Sequence, residues 1–185
     1  MQSASYPWVL LLDADERPTP ALVEAIRAIV QTTETPHVAY SIRRKNYFMG
    51  QPLHHGGLQR DRVLRLVQPA HCAYDHKQVH ETMLAQGSIG QLDHELLHYT
   101  YTKLSFFLEK QRKYAAWSAQ DHAARTPKVT CGHLFVKPLA RFFIQYLLKR
   151  GFLDGKAGLV YCAINAWTVF LRYVYLLENR RNLST

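Results

Sequence analysis

The apolar run Val9–Leu12 ends abruptly in two carboxylates spaced i, i+2, Asp13 and Asp15. A short β-favouring run bounded by polar residues reads as a buried strand. In an α/β sheet ligands collect beyond the carboxyl ends of strands, where this pair would sit. Two carboxylates there offer hard oxygen ligands to Mg²⁺ or Mn²⁺, and such an ion commonly carries substrate phosphates as well. That makes a metal–diphosphate site one reading of the pair. An acidic turn leading into a helix N-terminus accounts for it equally well.

Other residues invite chemistry further along. In Gly50-Gln-Pro-Leu-His-His-Gly-Gly57, the adjacent Gly56 and Gly57 permit close backbone approach to a ligand or a turn at positive φ; an ordinary connecting loop also fits. His80-Glu81 lies in the partly alternating stretch Lys77–Leu84. A glutamate at a strand end could act as general base toward a hydroxyl, or be an exposed acid on an edge strand. His94-Glu95-Leu-Leu-His98 matches H-E-x-x-H, which on a helix would bind zinc and support hydrolysis. Its surroundings point elsewhere, because Gly87 and Gly90 precede it and Tyr99-Thr-Tyr-Thr102 follows, all favouring extended structure.

The elements that must hold these residues follow from periodicity. Thr19-Pro20 reads as an N-cap and first helical residue, and Leu22, Val23, Ile26, Ile29 and Val30 form an amphipathic stripe ending before Thr35-Pro36. His37–Arg43 and Arg62–Val67 alternate as strands, and Thr102 is placed to cap a helix over 103–124 that Thr126-Pro127 closes. Alternating strands and helices indicate an α/β fold.

At 185 residues, with 48% hydrophobic and 20% charged residues, the chain has the composition of a globular protein. A net charge of +9 calls for an anionic partner. No recognisable nucleic-acid motif is present, so a membrane surface or a phosphorylated substrate is expected rather than nucleic acid. Cys72, Cys131 and Cys162 are scattered, odd in number and without C-x-x-C spacing, as reduced thiols in a cytosolic setting would be. The first residues, Met-Gln-Ser-Ala-Ser-Tyr-Pro, have neither the basic nor the apolar part of a secretory signal.

The C-terminal third changes character. Pro138–Arg150 reads as a basic, aromatic amphipathic helix, Gly151–Gly155 breaks it, and Ala157–Leu171 is uncharged and includes Trp167. Bounded by Lys156 and Arg172, that run falls short of the roughly 20 residues a spanning helix needs. Basic residues beside aromatics suit a monotopic membrane interface; packing on a core or a partner chain is the alternative.

The stretch Trp8-Val-Leu-Leu-Leu-Asp-Ala-Asp-Glu-Arg-Pro-Thr-Pro-Ala-Leu22 resembles family 2 glycosyltransferases of the GT-A fold, in particular the bacterial enzymes that add glucose to the lipopolysaccharide inner core. The resemblance spans almost the whole chain but only the second half of the family domain, so the strands that hold the nucleotide base are expected to lie outside it. It implies a partial catalytic domain over 1–126 and a membrane-associated helical extension over 127–185. Asp13 and Asp15 match the metal and donor-diphosphate motif. His55-Gly56-Gly57 is similar to the glycine loop of the active site, which makes Gly56 and Gly57 substrate-binding. Val79-His80-Glu81 stands where the family carries its catalytic acid, with Thr82 in place of a second acid, so Glu81 is the implied general base. His98 matches the histidine that completes the metal shell.

The implied reaction is inverting transfer of a hexose from a UDP-sugar to a lipid-linked saccharide, with Mn²⁺ or Mg²⁺, at the cytoplasmic face of the bacterial inner membrane. Arg43, Arg44, Lys45 and Arg65 are placed to meet phosphates of donor or acceptor, or else form a solvated basic surface.

Overall fold

The computed structural model describes residues 4–32, 35–74, 83–101 and 103–182. The architecture is mixed α/β with helices at the C-terminal end. Two compact units make up the chain: Met1–Asn46 with Arg60–Thr100, and Tyr47–Gln59 with Tyr101–Thr185. Residues 127–185 therefore belong with 101–126 in the second unit.

The first unit is built on a sheet whose strands run in the order β1 (Val9–Leu10), β5 (Arg62–Val67), β3 (Ala39–Phe48), β8 (Ile89–Tyr101), β2 (Glu16–Pro18). β1–β5, β3–β5 and β2–β8 pair antiparallel. The expected strand over Val9–Leu12 is shorter than its apolar run. Only Val9 and Leu10 pair with β5, although the Leu11 N–H still donates to Arg65 O at 2.8 Å. Helix α1 (Pro20–Gln31) starts as its residues dictate: Thr19 Oγ1 accepts from Leu22 N, and Pro20 takes the first turn, where no N–H is needed. Its stripe of Leu22, Ala25, Ile26 and Ile29 packs with Tyr40, Ile42, Leu66 and Leu96. The neighbours Ala39 and Val67 join a separate cluster with Cys72, as strand alternation requires. Of the stretch Lys77–Leu84, residues 77–82, including His80 and Glu81, lie outside the described residues. β7 (Met83–Ala85) pairs with β6 (Cys72–Tyr74).

In the second unit β3 turns back through Met49 and Gly50, both at positive φ, into β4 (Gln51–Leu53). Phe48 and Leu53 pack with Phe107 of α2 (Leu104–Ala123) and Ala157 of α4 (Gly155–Asn182). The Arg180 guanidinium donates to Ala123 O at 3.4 Å and Pro127 O at 2.6 Å, satisfying carbonyls where α2 ends. The expected cap Thr102 lies outside the described residues.

Two expectations for the C-terminal third need correction. The helix placed at 138–150 begins earlier: π-helical turns Gly132–Val136 and Ile144–Leu148 flank α3 (Lys137–Phe143). Pro138 has no N–H to give, and the Lys137 N–H reaches back five residues to Gly132 O, which fits a widened turn at this point. The uncharged run is also not the whole of its helix. Gly151–Arg181 is a continuous helical stretch of 31 residues containing an apolar window of which 22% is buried, so by length and composition it suffices to cross a membrane.

Gly90 on β8 is a close-approach position. A Cβ there would lie 2.5 Å from the Tyr40 ring and 2.7 Å from His37. Tyr40 is buried and packs against Trp8, so it has little room to yield. Gly90→Ala is expected to destabilise the fold by about 1–3 kcal/mol, the usual cost of overpacking. Chemical denaturation measures it, and an unchanged midpoint would contradict this packing.

Candidate active site

Backbone pairing brings the sequence-distant residues together. After β1 the chain turns at Asp13–Asp15, closed by Glu16 N donating to Asp13 O at 3.0 Å. Glu16 then opens β2 opposite His98 of β8, and Tyr99 N donates to Asp15 O at 2.8 Å. This register carries Asp15 to the side of His98, where Asp15 Oδ2 lies 3.6 Å from Nε2.

The turn is anchored by a residue that sequence reasoning passed over. The Glu16 side chain is fully buried; it accepts from Arg65 Nη2 at 2.7 Å and from the Asp13 N–H at 3.2 Å, with Arg44 Nη1 at 3.8 Å. Arg65 also bonds Asp13. Burial alone would lower the Arg65 pKa, but the hydrogen bond and charge of Glu16, and then Asp13, hold it above its ordinary value. Arg44 forks onto Asp61 through Nε at 3.0 Å and Nη2 at 2.8 Å. The same carboxylate accepts from Asn46 Nδ2 at 2.7 Å, and Asn46 Oδ1 lies 2.7 Å from His98 Nδ1. Asp13, Arg65, Glu16, Arg44, Asp61, Asn46, His98 and Asp15 thus form one polar chain.

Of the residues singled out earlier, Asp15 and His98 are brought together, while Asp13 is held by Arg65 with 57% of its side chain exposed. Arg44 and Arg65 are engaged by acids, and Lys45 pairs with Glu95 at 3.2 Å. Glu81 lies outside the described residues. Among those described, no group of three or more His, Cys, Asp or Glu side chains could hold a metal. An ion shared with substrate phosphates needs few protein ligands, and Asp15 with His98 would be the groups to hold one. Glu16, Asn46 and Asp61 carried no sequence signal beyond Glu16 lying three residues from Asp13.

Gly56 and Gly57 sit in the second unit. His54 and His55 donate their backbone N–H groups to Asp154, and His55 Nδ1 lies 2.8 Å from its Oδ1. Gly56 N donates to Lys149 O at 2.9 Å. Gly57 stands at φ +104°, which favours glycine, while a Cβ there would meet only the flexible end of the Lys149 side chain, at 3.2 Å. Burial, then the Asp154 charge, pushes the neighbouring Cys162 thiol up to about 11.

The H-E-x-x-H stretch lies on β8, not on a helix. Four residues of strand separate His94 from His98 by about 13 Å, so the two cannot share one zinc ion. The hydrolase alternative is overturned on that geometry.

The contrast between a buried and an exposed acid on Arg65 is measurable. Glu16→Ala leaves two guanidiniums short of their buried partner and is expected to cost about 3–5 kcal/mol of stability. Asp13→Ala, at an exposed pair, should cost about 1 kcal/mol or less. Equal losses in urea denaturation would contradict the role of Glu16 as anchor.

No family model matches the chain. Over its whole length, in an alignment of 193 residues covering 70% of the relative, it is 25% identical to the lipopolysaccharide core biosynthesis glycosyltransferase LpsC of Rhizobium meliloti (strain 1021). This likeness supports a glycosyltransferase relationship for the chain.

Proposed function

We propose that the chain carries part of a family 2, GT-A glycosyltransferase domain. It moves a hexose, glucose in the first instance, from a UDP-sugar to a lipopolysaccharide inner-core or similar lipid-linked saccharide. The observation that carries this reading is the approach of Asp15 to His98 at the end of an acidic turn, in a chain similar throughout to LpsC. Mn²⁺ or Mg²⁺ held by Asp15 and His98, with Asp13 at the rim, would stabilise the departing diphosphate as a Lewis acid.

The chain's own residues do the rest. Glu81 takes the proton of the acceptor hydroxyl as that oxygen bonds to the anomeric carbon and the bond to the diphosphate breaks, inverting the centre. Arg65 holds Asp13 at the turn, and Glu16 and Arg44 keep the turn rigid. Gly56 and Gly57, in the glycine loop, bind substrate.

Calorimetric titration with UDP tests the reading. Wild-type protein should bind UDP only with Mn²⁺ present, and Asp15→Ala and His98→Ala should each weaken binding at least tenfold. Mn²⁺-independent binding, or binding untouched by both substitutions, would sink it.

The proposed place is peripheral, at the cytoplasmic face of the inner membrane, and exposed apolar residues of the second unit support contact with a membrane surface. Phe135, Leu139, Phe143, Leu147, Leu148 and Phe152 are all exposed. Between 128 and 156 the charged residues are Lys128, Lys137, Arg141, Lys149, Arg150 and Lys156 against Asp154 alone, and Asp154 is buried on His55. Exposed aromatics ringed by cations suit the headgroup region of an anionic bilayer. The protein should sediment with phosphatidylglycerol vesicles and not with phosphatidylcholine, and Phe143→Glu with Leu147→Glu should release it. Equal binding to both vesicles would refute the electrostatic part of this placement.

A further inference from the structure

We propose that Lys149 and Arg150 form a phosphate-binding site at the edge of the glycine loop, taking a phosphate carried either by a lipid headgroup or by the substrate. The inference rests on the reading of the loop as substrate-binding only for which of the two carries it.

The backbone at this place is unusual. The π-helical turn Ile144–Leu148 ends with Lys149 N donating to Ile144 O at 2.8 Å and Arg150 N to Leu147 O at 3.1 Å. Arg150 then stands at φ +57° and ψ +29°. A helix that ends on a left-handed residue ordinarily places glycine there, because a Cβ disfavours that region. Here the glycine comes one residue later, at buried Gly151, where a Cβ would lie 2.8 Å from Cys162 Sγ and 2.9 Å from Gln145 O. Close packing accounts for Gly151 but not for a long cation at 150.

The charges there are also uncompensated. Lys149 and Arg150 are both exposed, and among the described residues neither side chain has a hydrogen-bond or ion-pair partner. The acid nearest in sequence, Asp154, is buried and engaged by the His54 and His55 backbone N–H groups and the His55 ring. Two adjacent like charges repel, and an arriving anion relieves that repulsion.

The glycine loop is fastened at this same residue. Lys149 O accepts from Gly56 N at 2.9 Å and from Gln59 Nε2 at 2.7 Å, and Gln145 Nε2 donates to Gly56 O at 3.1 Å. The Lys149 side chain runs past Gly57, whose missing Cβ would stand 3.2 Å from Nζ, so backbone beside the ammonium stays open to a ligand. Lysine brings a point charge and arginine a planar fork that matches phosphate oxygens. Leu147, Leu148 and Phe152, all exposed, flank the pair in sequence with the apolar surface that a lipid-linked phosphate would meet.

Titration of the ¹⁵N-labelled full chain with inorganic phosphate, followed by NMR at constant ionic strength, tests the site. The amide signals of Gly57, Lys149, Arg150 and Gly151 should move to saturation. Arg150→Gly and Lys149→Gln should each weaken binding about two- to fivefold, the worth of one exposed charge pair, and the double variant should abolish it. Arg150→Gly should also leave the urea midpoint unchanged or raise it, because glycine relieves the left-handed backbone. Signals that do not move, or an affinity equal in all variants, overturns the proposal. So does a lowered midpoint in Arg150→Gly, which would mark the cation as a partner of the helix dipole instead.

Vesicle sedimentation names the carrier. Loss of phosphatidylglycerol binding in the double variant assigns the phosphate to a headgroup, whereas vesicle binding kept while phosphate binding is lost assigns it to the substrate; either result upholds the site. Phosphate binding in a protein that takes up no Mn²⁺–UDP would uphold the site and count against the glycosyltransferase reading. The reverse pattern would overturn the site and leave that reading standing.

Discussion

A fully buried carboxylate, Glu16, sets the terms for the first unit. An ion taken out of water costs several kcal/mol unless it is paired and hydrogen-bonded, so Glu16 can sit there only with cations brought to it. Arg65 comes from β5, Arg44 from β3, and the Asp13 N–H from the turn itself. Satisfying one acid therefore ties two strands to one turn. It also decides the neighbours' fates: Asp13 is drawn to Arg65, and Asp15 is carried toward β8. The same economy recurs in the second unit, where Asp154 collects two backbone N–H groups and the His55 ring, and so clasps the glycine loop.

Much of the first unit was legible because its signals are local. Thr19-Pro20 can begin a helix and little else, and the limits of Arg62–Val67 coincide with β5. The extended setting of His94–His98 follows from glycines and β-formers on either side. What resisted reading depends on contacts far apart in the chain. Nothing in Asn46 or Asp61 distinguishes them from loop residues until β3 and β5 are side by side, and Glu16 is an ordinary acid until two arginines converge on it. Only the Glu16–His98 register makes Asp15 and His98 neighbours.

The C-terminal third was misjudged for a different reason. A charge at Arg172 marks the end of an uncharged run, but a helix ends where its backbone bonding ends, and α4 continues to Asn182. Arginine is a good helix former, and Arg172 turns its guanidinium toward α2, where Nη1 lies 3.4 Å from His122 Nε2. Pro138 likewise marks no helix start, because a preceding π-helical turn lets the helix begin before it.

Charge balance supplies the remaining argument about the site. The chain as a whole carries +9, yet the polar chain at the turn sets four carboxylates, Asp13, Asp15, Glu16 and Asp61, against two guanidiniums, Arg44 and Arg65. Leaving His98 aside, that sum is two negative charges. Both guanidiniums are already committed to acids, so a diphosphate approaching Asp15 would meet repulsion that a bound cation would relieve. The electrostatics favour an anionic ligand only if a divalent cation arrives with it. On the proposed reading, the partly exposed Asp15 carboxylate and the adjacent His98 ring are the groups that would receive it.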